Sequence, residues 1–139
     1  MATEEEKPPL IGQKGLNFDI LVVQGTTWGP YEMVLLDDET GEPVDLTGTK
    51  HVSEIRKTPE SPEAAAVAVI EVIDGPAGVV SITYPAGDTV DVSADPKGEK
   101  EPDSMYVWDW LVEFPDGHVE QIAWGNTPVF RRVSKGAFV

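Results

Sequence analysis

Large apolar residues fall on every second position of the stretch Trp108, Trp110, Val112, Phe114, with Asp109 and Glu113 between them. A period of two predicts a half-buried strand whose rings face a core while its acids face outward. Phe114-Pro115-Asp116-Gly117-His118 then carries turn chemistry, so the chain is expected to reverse in a tight hairpin. The return strand reads from His118 to Trp124 and stops at Gly125-Asn126. A last strand runs from Val129 to Val133. Trp108 and Trp110, two apart, share one face, and Trp124 on the hairpin partner is expected to join them in the core.

The rest of the chain follows the same grammar. Leu16 to Val23 is rich in β-branched and aromatic residues and is broken by Gln24-Gly25. Tyr31 to Leu36 predicts a strand, Asp37 to Glu42 a turn, and Asp45-Leu46-Thr47-Gly48 a corner in which Asp45 caps backbone N–H groups and Gly48 takes positive φ. His51 to Arg56 is the next strand, and Thr58 to Pro62 an exposed turn. Ala64 to Ile73 begins with three alanines, but Val67, Val69, Ile70, Val72 and Ile73 favour a strand over a helix. Asp74-Gly75-Pro76 turns the chain into Val79 to Tyr84. Residues 85–104 read as loop, with at most a helical turn near Asp88-Thr89 and a charged run over 91–104. About seven to nine short strands, with turn signals roughly every 8–12 residues, predict an all-β, antiparallel β-sandwich over residues 16–139.

Residues 1–15 stand apart as an extended N-terminal arm. Glu4-Glu5-Glu6-Lys7 is a charged run, Pro8-Pro9 favours polyproline geometry, and Gly12 and Gly15 interrupt any periodicity. Leu10-Ile11 is an apolar pair between polar flanks, suited to a groove on a neighbour.

Composition narrows the function classes. The 139 residues suit one domain. No cysteine is present, which removes disulfides and thiolate metal sites. A formal charge of −15 with only ten basic residues argues against nucleic-acid binding, whose affinity comes from Lys and Arg. No apolar run approaches the ~18 residues of a membrane span, and the acidic start is unlike a basic signal peptide. A soluble, cytoplasmically made protein is expected.

The residues offer little catalytic chemistry. His51 and His118 are expected at the surface or at a strand edge. No nucleophile elbow, zinc-protease or P-loop spacing occurs. Asp37, Asp38, Glu39, Glu42 and Asp45 lack the alternating ligand spacing of a calcium loop and read as a solvated hairpin tip. Trp28, beside Gly29-Pro30, is expected to be partly exposed; a carbohydrate-binding module with Trp28 and Trp124 as its stacking platform is the reading that competes with core packing of the indoles. No enzyme activity, cofactor or metal is expected.

Several of these motifs occur in a recognisable order. Phe18-Asp19-Ile20 leads to Gln24-Gly25-Thr26-Thr27-Trp28, then Gly41-Glu42-Pro43-Val44-Asp45-Leu46-Thr47-Gly48, then Glu54-Ile55-Arg56. Tyr106-Val107-Trp108-Asp109-Trp110 and Pro115-Asp116-Gly117 complete the series. The series resembles a family of small tailed-bacteriophage virion proteins over roughly residues 16–133. It is similar in pattern to the immunoglobulin-like N-terminal domain of phage baseplate upper proteins. The resemblance implies an immunoglobulin-like sandwich, a place in the virion, and partners among tail, baseplate or fibre subunits, including further copies of the chain. Capsid decoration or a head fibre is the alternative placement. Candidate partner-binding residues are Pro8, Pro9, Leu10, Ile11, Trp28, Tyr31, Arg131, Arg132 and Phe138.

Overall fold

The computed structural model describes residues 16–92, 104–134, 136 and 138. Nine strands and one helical turn follow in order: β1 Leu16–Asn17, β2 Val22–Val23, β3 Trp28–Val34, β4 Lys50–Arg56, β5 Ala66–Val67, β6 Val69–Asp74, β7 Val79–Tyr84, α1 Ala86–Thr89, β8 Ser104–Glu113 and β9 Val119–Phe130. They build two sheets. The larger has the order β1-β9-β8-β4-β5, with β2 also on β9, and the smaller is β3-β7-β6. The all-β expectation therefore holds, and the expected arm over 1–15, with Pro8, Pro9, Leu10 and Ile11, lies outside the described residues, as do residues 93–103.

One core fills the space between the sheets. Tyr106, Trp108, Trp110 and Val112 alternate inward along β8, and Val80, Ile82 and Tyr84 do so along β7. Ile20, Leu35, Leu46, Ile55 and Val129 join the same cluster. Trp110 is fully buried, and burial of this kind makes truncation to alanine worth about 3–5 kcal/mol. The helical turn α1 is anchored through the buried Thr89, whose hydroxyl donates to the Thr26 carbonyl at 2.6 Å.

The turns form where their residues demand them. Asp37 Oδ1 accepts from the Glu39 and Thr40 amides, and Asp45 Oδ1 accepts from the Thr47 amide at 2.9 Å. Gly48 closes that corner at φ +75°, a conformation that L side chains rarely adopt. Phe114 and His118 flank the β8–β9 hairpin, with the Phe114 amide donating to the His118 carbonyl at 2.9 Å.

Four boundaries differ from the sequence reading. Leu16 to Val23 is not one strand: only its ends pair, and they run parallel to β9, with the Phe18 and Ile20 amides donating to the Trp124 and Asn126 carbonyls between them. The second expected strand begins earlier, at Trp28, and ends at Val34. Ala64 to Ile73 divides at Ala68, with β5 pairing β4 in the large sheet and β6 pairing β7 in the small one. Gly125-Asn126 does not stop β9, which continues to Phe130 and takes in only the start of the expected last strand, Val129 and Phe130.

Candidate functional site

The outer face of the large sheet holds an open groove of about 580 Å³. Its floor follows from strand register, because residues paired across an antiparallel ladder point to the same side. Glu54 on β4 faces Asp109 on β8, and Asp109 in turn faces Trp124 on β9, beside Asn17 on β1. One step along lies the row Val52, Leu111 and Gln121, and on the other side lie Arg56, Val107 and Asn126. Three rows of side chains, spanning four strands, thus form one surface.

A β-bulge creates the Trp124 wall. The register shifts between Trp110, opposite Ala123, and Leu111, opposite Gln121, leaving Ile122 as the extra residue. Ile122 and Ala123 are both buried, so the alternation of β9 slips by one at this point. Gln121 and Trp124, three residues apart, consequently lie on the same outer face. Trp124 is 40% exposed, which corrects the expectation that it packs in the core with Trp108 and Trp110. Of the indoles expected to face inward, the two on β8 do so and the one on β9 lines a cleft that also contains two carboxylates.

The electrostatics of the groove are uneven. Glu54 is paired with Arg56 at 2.9 Å, and the Arg56 guanidinium also donates to the Ser61 carbonyl at 2.7 Å, tying the 58–62 turn to the sheet. Asp109 has no lysine or arginine within ion-pair range among the described residues. Its Oδ2 receives only the Gln121 amide, at 3.5 Å. Burial pushes the Asp109 carboxyl above the usual carboxylate range; the Gln121 amide opposes this, the neighbouring Glu54 adds to it, and the Arg56 guanidinium again opposes it. Like charges directly opposite on neighbouring strands are destabilising.

A second polar cluster lies beneath the other end of β4. The Trp110 indole N–H donates to His51 Nδ1 at 3.0 Å, and His51 Nε2 lies 2.9 Å from Thr49 Oγ1. Because the Thr49 hydroxyl donates to the Leu46 carbonyl at 2.7 Å, Nε2 must carry the imidazole proton. Burial holds His51 below its ordinary pKa. His51 is thus a half-buried structural group with both ring nitrogens engaged, on an inner strand rather than at the surface or strand edge expected from the sequence. His118 is exposed, and its contact with Asp116 raises its pKa, followed by a weaker pull from Glu120.

The other sequence-derived candidates do not converge on the groove. Trp28 is half-buried on β3, with its ring 4.7 Å from Tyr31 and 6.0 Å from Tyr84. Tyr31 is 50% exposed because β3 is an edge strand. Arg132 reaches back to the Gly25 carbonyl at 3.4 Å, in the turn that leads to Trp28, and the neighbouring Arg131 is exposed. Phe138 is 94% exposed near the end of the chain. Trp28 and Trp124 belong to different sheets, so the structure does not assemble them as one platform. Val52, Glu54, Asp109, Gln121 and Asn126 carried no site signal in the sequence, since only the bulge and the register bring them together.

Among the described residues, no group of three or more His, Asp or Glu side chains is placed to hold a metal ion, and no helix is long and apolar enough to cross a membrane. No protein-family model matches the chain, and no curated protein matches it.

Proposed function

We propose that the chain is a non-enzymatic structural protein of a tailed-bacteriophage virion, a tail or baseplate component that anchors fibres or receptor-binding proteins. In this reading its two sheets form an immunoglobulin-like β-sandwich that serves as a rigid block. The N-terminal arm, the 91–104 loop and the C-terminal segment make the contacts with neighbouring virion subunits, further copies of the chain included. The net charge of −15 keeps such a part away from nucleic acid and soluble at high local density.

The observation that carries the proposal is the placement of the ordered motifs. Gln24 to Trp28 leads from β2 on the large sheet into β3 on the small one, and Gly41 to Gly48 leads from β3 back towards β4. Pro115-Asp116-Gly117 closes the β8–β9 hairpin. These three motifs therefore sit at crossings or reversals of the chain, while Glu54-Ile55-Arg56 and Tyr106 to Trp110 lie within β4 and β8. The interior polar groups support the same reading: Ser53 with Tyr84, His51 with Trp110, and Thr89 with Thr26 are engaged in holding elements together.

Quantitative mass spectrometry of purified particles tests the proposal. The chain is expected as a stoichiometric component at a low copy number matching the symmetry of a tail. A capsid-like copy number moves it to the head as a decoration or head-fibre protein, and absence from particles overturns the virion assignment. Deleting residues 2–15 is expected to abolish incorporation while leaving the domain folded.

A further inference from the structure

We propose that the outer groove of the large sheet binds a neutral oligosaccharide, with the Trp124 indole as stacking platform and Asp109, Glu54, Gln121 and Asn126 as partners for the sugar hydroxyls. This goes beyond the virion reading and rests on the groove alone. A pyranose ring presents a flat C–H face and a rim of hydroxyls, each both donor and acceptor. It is recognised by a flat aromatic surface next to side chains that supply both hydrogen-bond roles.

The groove supplies that combination in one place. Trp124 is 40% exposed, and the bulge at Ile122 turns it to the same side as Gln121. Asp109, facing Trp124 across the ladder, is an acceptor with unused lone pairs, since its single described donor is the Gln121 amide at 3.5 Å. Asn126 and Gln121 each add a donor and an acceptor. The volume of about 580 Å³ lies within the range of small-molecule sites, roughly 300–1,000 Å³, and exceeds a single amino-acid side chain.

Charge and position select the ligand class. Two carboxylates in the groove and a net charge of −15 disfavour acidic glycans. Glu54 is already neutralised by Arg56, which leaves one uncompensated carboxylate among mainly uncharged groups, a weak basis for a basic peptide. The groove lies on the face of β8, flanked by β4 and β9, and of the Ala123–Asn126 stretch of β9, flanked by β8 and the Leu16–Ile20 segment, so an extended chain cannot add there as a strand. Placing Asp109 opposite Glu54 opposes stability, as local arrangements serving a binding function often do.

The test is a titration of the full chain, followed by two-dimensional nitrogen–proton NMR. The panel comprises neutral cello-, malto-, laminari-, manno- and chito-oligosaccharides, with a uronic acid oligomer and an arginine-rich peptide as further arms. At least one neutral oligosaccharide is expected to shift the Trp124 indole resonance, assigned by its loss in Trp124→Ala, and added salt should leave the shift unchanged. Trp124→Ala is expected to abolish binding, and Asp109→Asn and Gln121→Ala to weaken it about tenfold each. Val69→Ala, at an exposed position of β6 on the other sheet, should bind as the native chain does. If Trp124→Ala loses its fold, seen in the remaining indole signals, the other two groove variants carry the test. The inference is overturned if no neutral sugar moves groove resonances, if shifts gather elsewhere, or if only the peptide binds and salt removes it. Particle incorporation of Asp109→Asn separates the two readings: it should be normal whether or not the titration succeeds.

Discussion

Ser53 Oγ on β4 lies 2.5 Å from the Tyr84 hydroxyl on β7, so a buried hydrogen bond joins the two sheets through their shared core. Ser53 Oγ also donates to the Asp109 carbonyl at 2.8 Å, which directs the phenol proton towards Ser53. Burial pushes the Tyr84 phenol far up, and it remains a donor across the ordinary pH range. Tyr84→Phe removes the donor but leaves the serine proton satisfied, and is expected to lower stability by about 1–2 kcal/mol. Ser53→Ala strands a buried phenol and should lower it by roughly 1–3 kcal/mol. Urea midpoints at constant m-value report both. An unchanged midpoint for Tyr84→Phe would remove the inter-sheet link from the account.

His51 predicts a pH dependence with a definite sign. Its folded-state pKa lies below the ordinary 6.5, so the unfolded chain binds the extra proton first as pH falls. The stabilising contribution is complete above pH 6.5 and declines as pH drops through the window beneath it. The geometry gives the reason: protonated Nδ1 would point a donor at the Trp110 indole N–H, and the half-buried ring has little water to replace the lost bond. His118 acts in the opposite sense, because its pKa is raised by Asp116; its contribution is present below 6.5 and is lost as pH rises through the raised value. Unfolding of the native chain and of His51→Gln across this window isolates the first effect. The variant should lose the downward slope that the native chain shows on acidification.

Much of this architecture was legible because local chemistry and global placement agree. The inward alternation of Trp108, Trp110 and Val112, the Asp45–Gly48 corner and the Phe114–His118 hairpin depend on residues close in sequence. Legibility failed where a distant strand decided the outcome. Gly125-Asn126 resembles a stop, yet β9 continues because Trp108 and Val107 on β8 and the Phe18–Ile20 segment pair with it from both sides. Trp124 is expected inside because it lies on the hairpin partner of Trp108 and Trp110, and the bulge that turns it outward is visible only in the register with β8. Asp109 and Glu54 are 55 positions apart and meet only through strand pairing, so their repulsion left no trace in the sequence pattern.

Gly125 owes its identity to close approach. A Cβ there would collide with the Phe18 carbonyl, which also accepts the Trp108 indole N–H at 2.9 Å. Gly125→Ala must therefore lift the Phe18 segment off β9, loosening the bonds from the Phe18 and Ile20 amides to the Trp124 and Asn126 carbonyls. A loss of about 1–3 kcal/mol is expected from this overpacking. Hydrogen exchange should show the damage locally: the Phe18 and Ile20 amides lose protection, while the β4–β8 ladder changes only with global stability. Full protection of both amides in the variant would contradict the close-approach argument.

Asp109→Asn should stabilise the protein while weakening sugar binding. A carboxyl whose pKa is raised on folding contributes stability below its unfolded value, near 3.8, and loses that contribution as pH rises through the folded value. Near pH 7 the ionised Asp109 is thus unfavourable, desolvated and set opposite Glu54. Asparagine keeps an oxygen for the Gln121 amide and removes the charge, so a gain of about 0.2–1 kcal/mol is expected near neutral pH. Well below pH 3.8, where this carboxyl is protonated in both the folded and unfolded chain, the two proteins should unfold at matching urea concentrations. Paired unfolding curves at both pH values check the sign. A variant less stable at neutral pH would show that Asp109 is a structural acceptor, and its position opposite Glu54 would no longer favour a ligand in the groove.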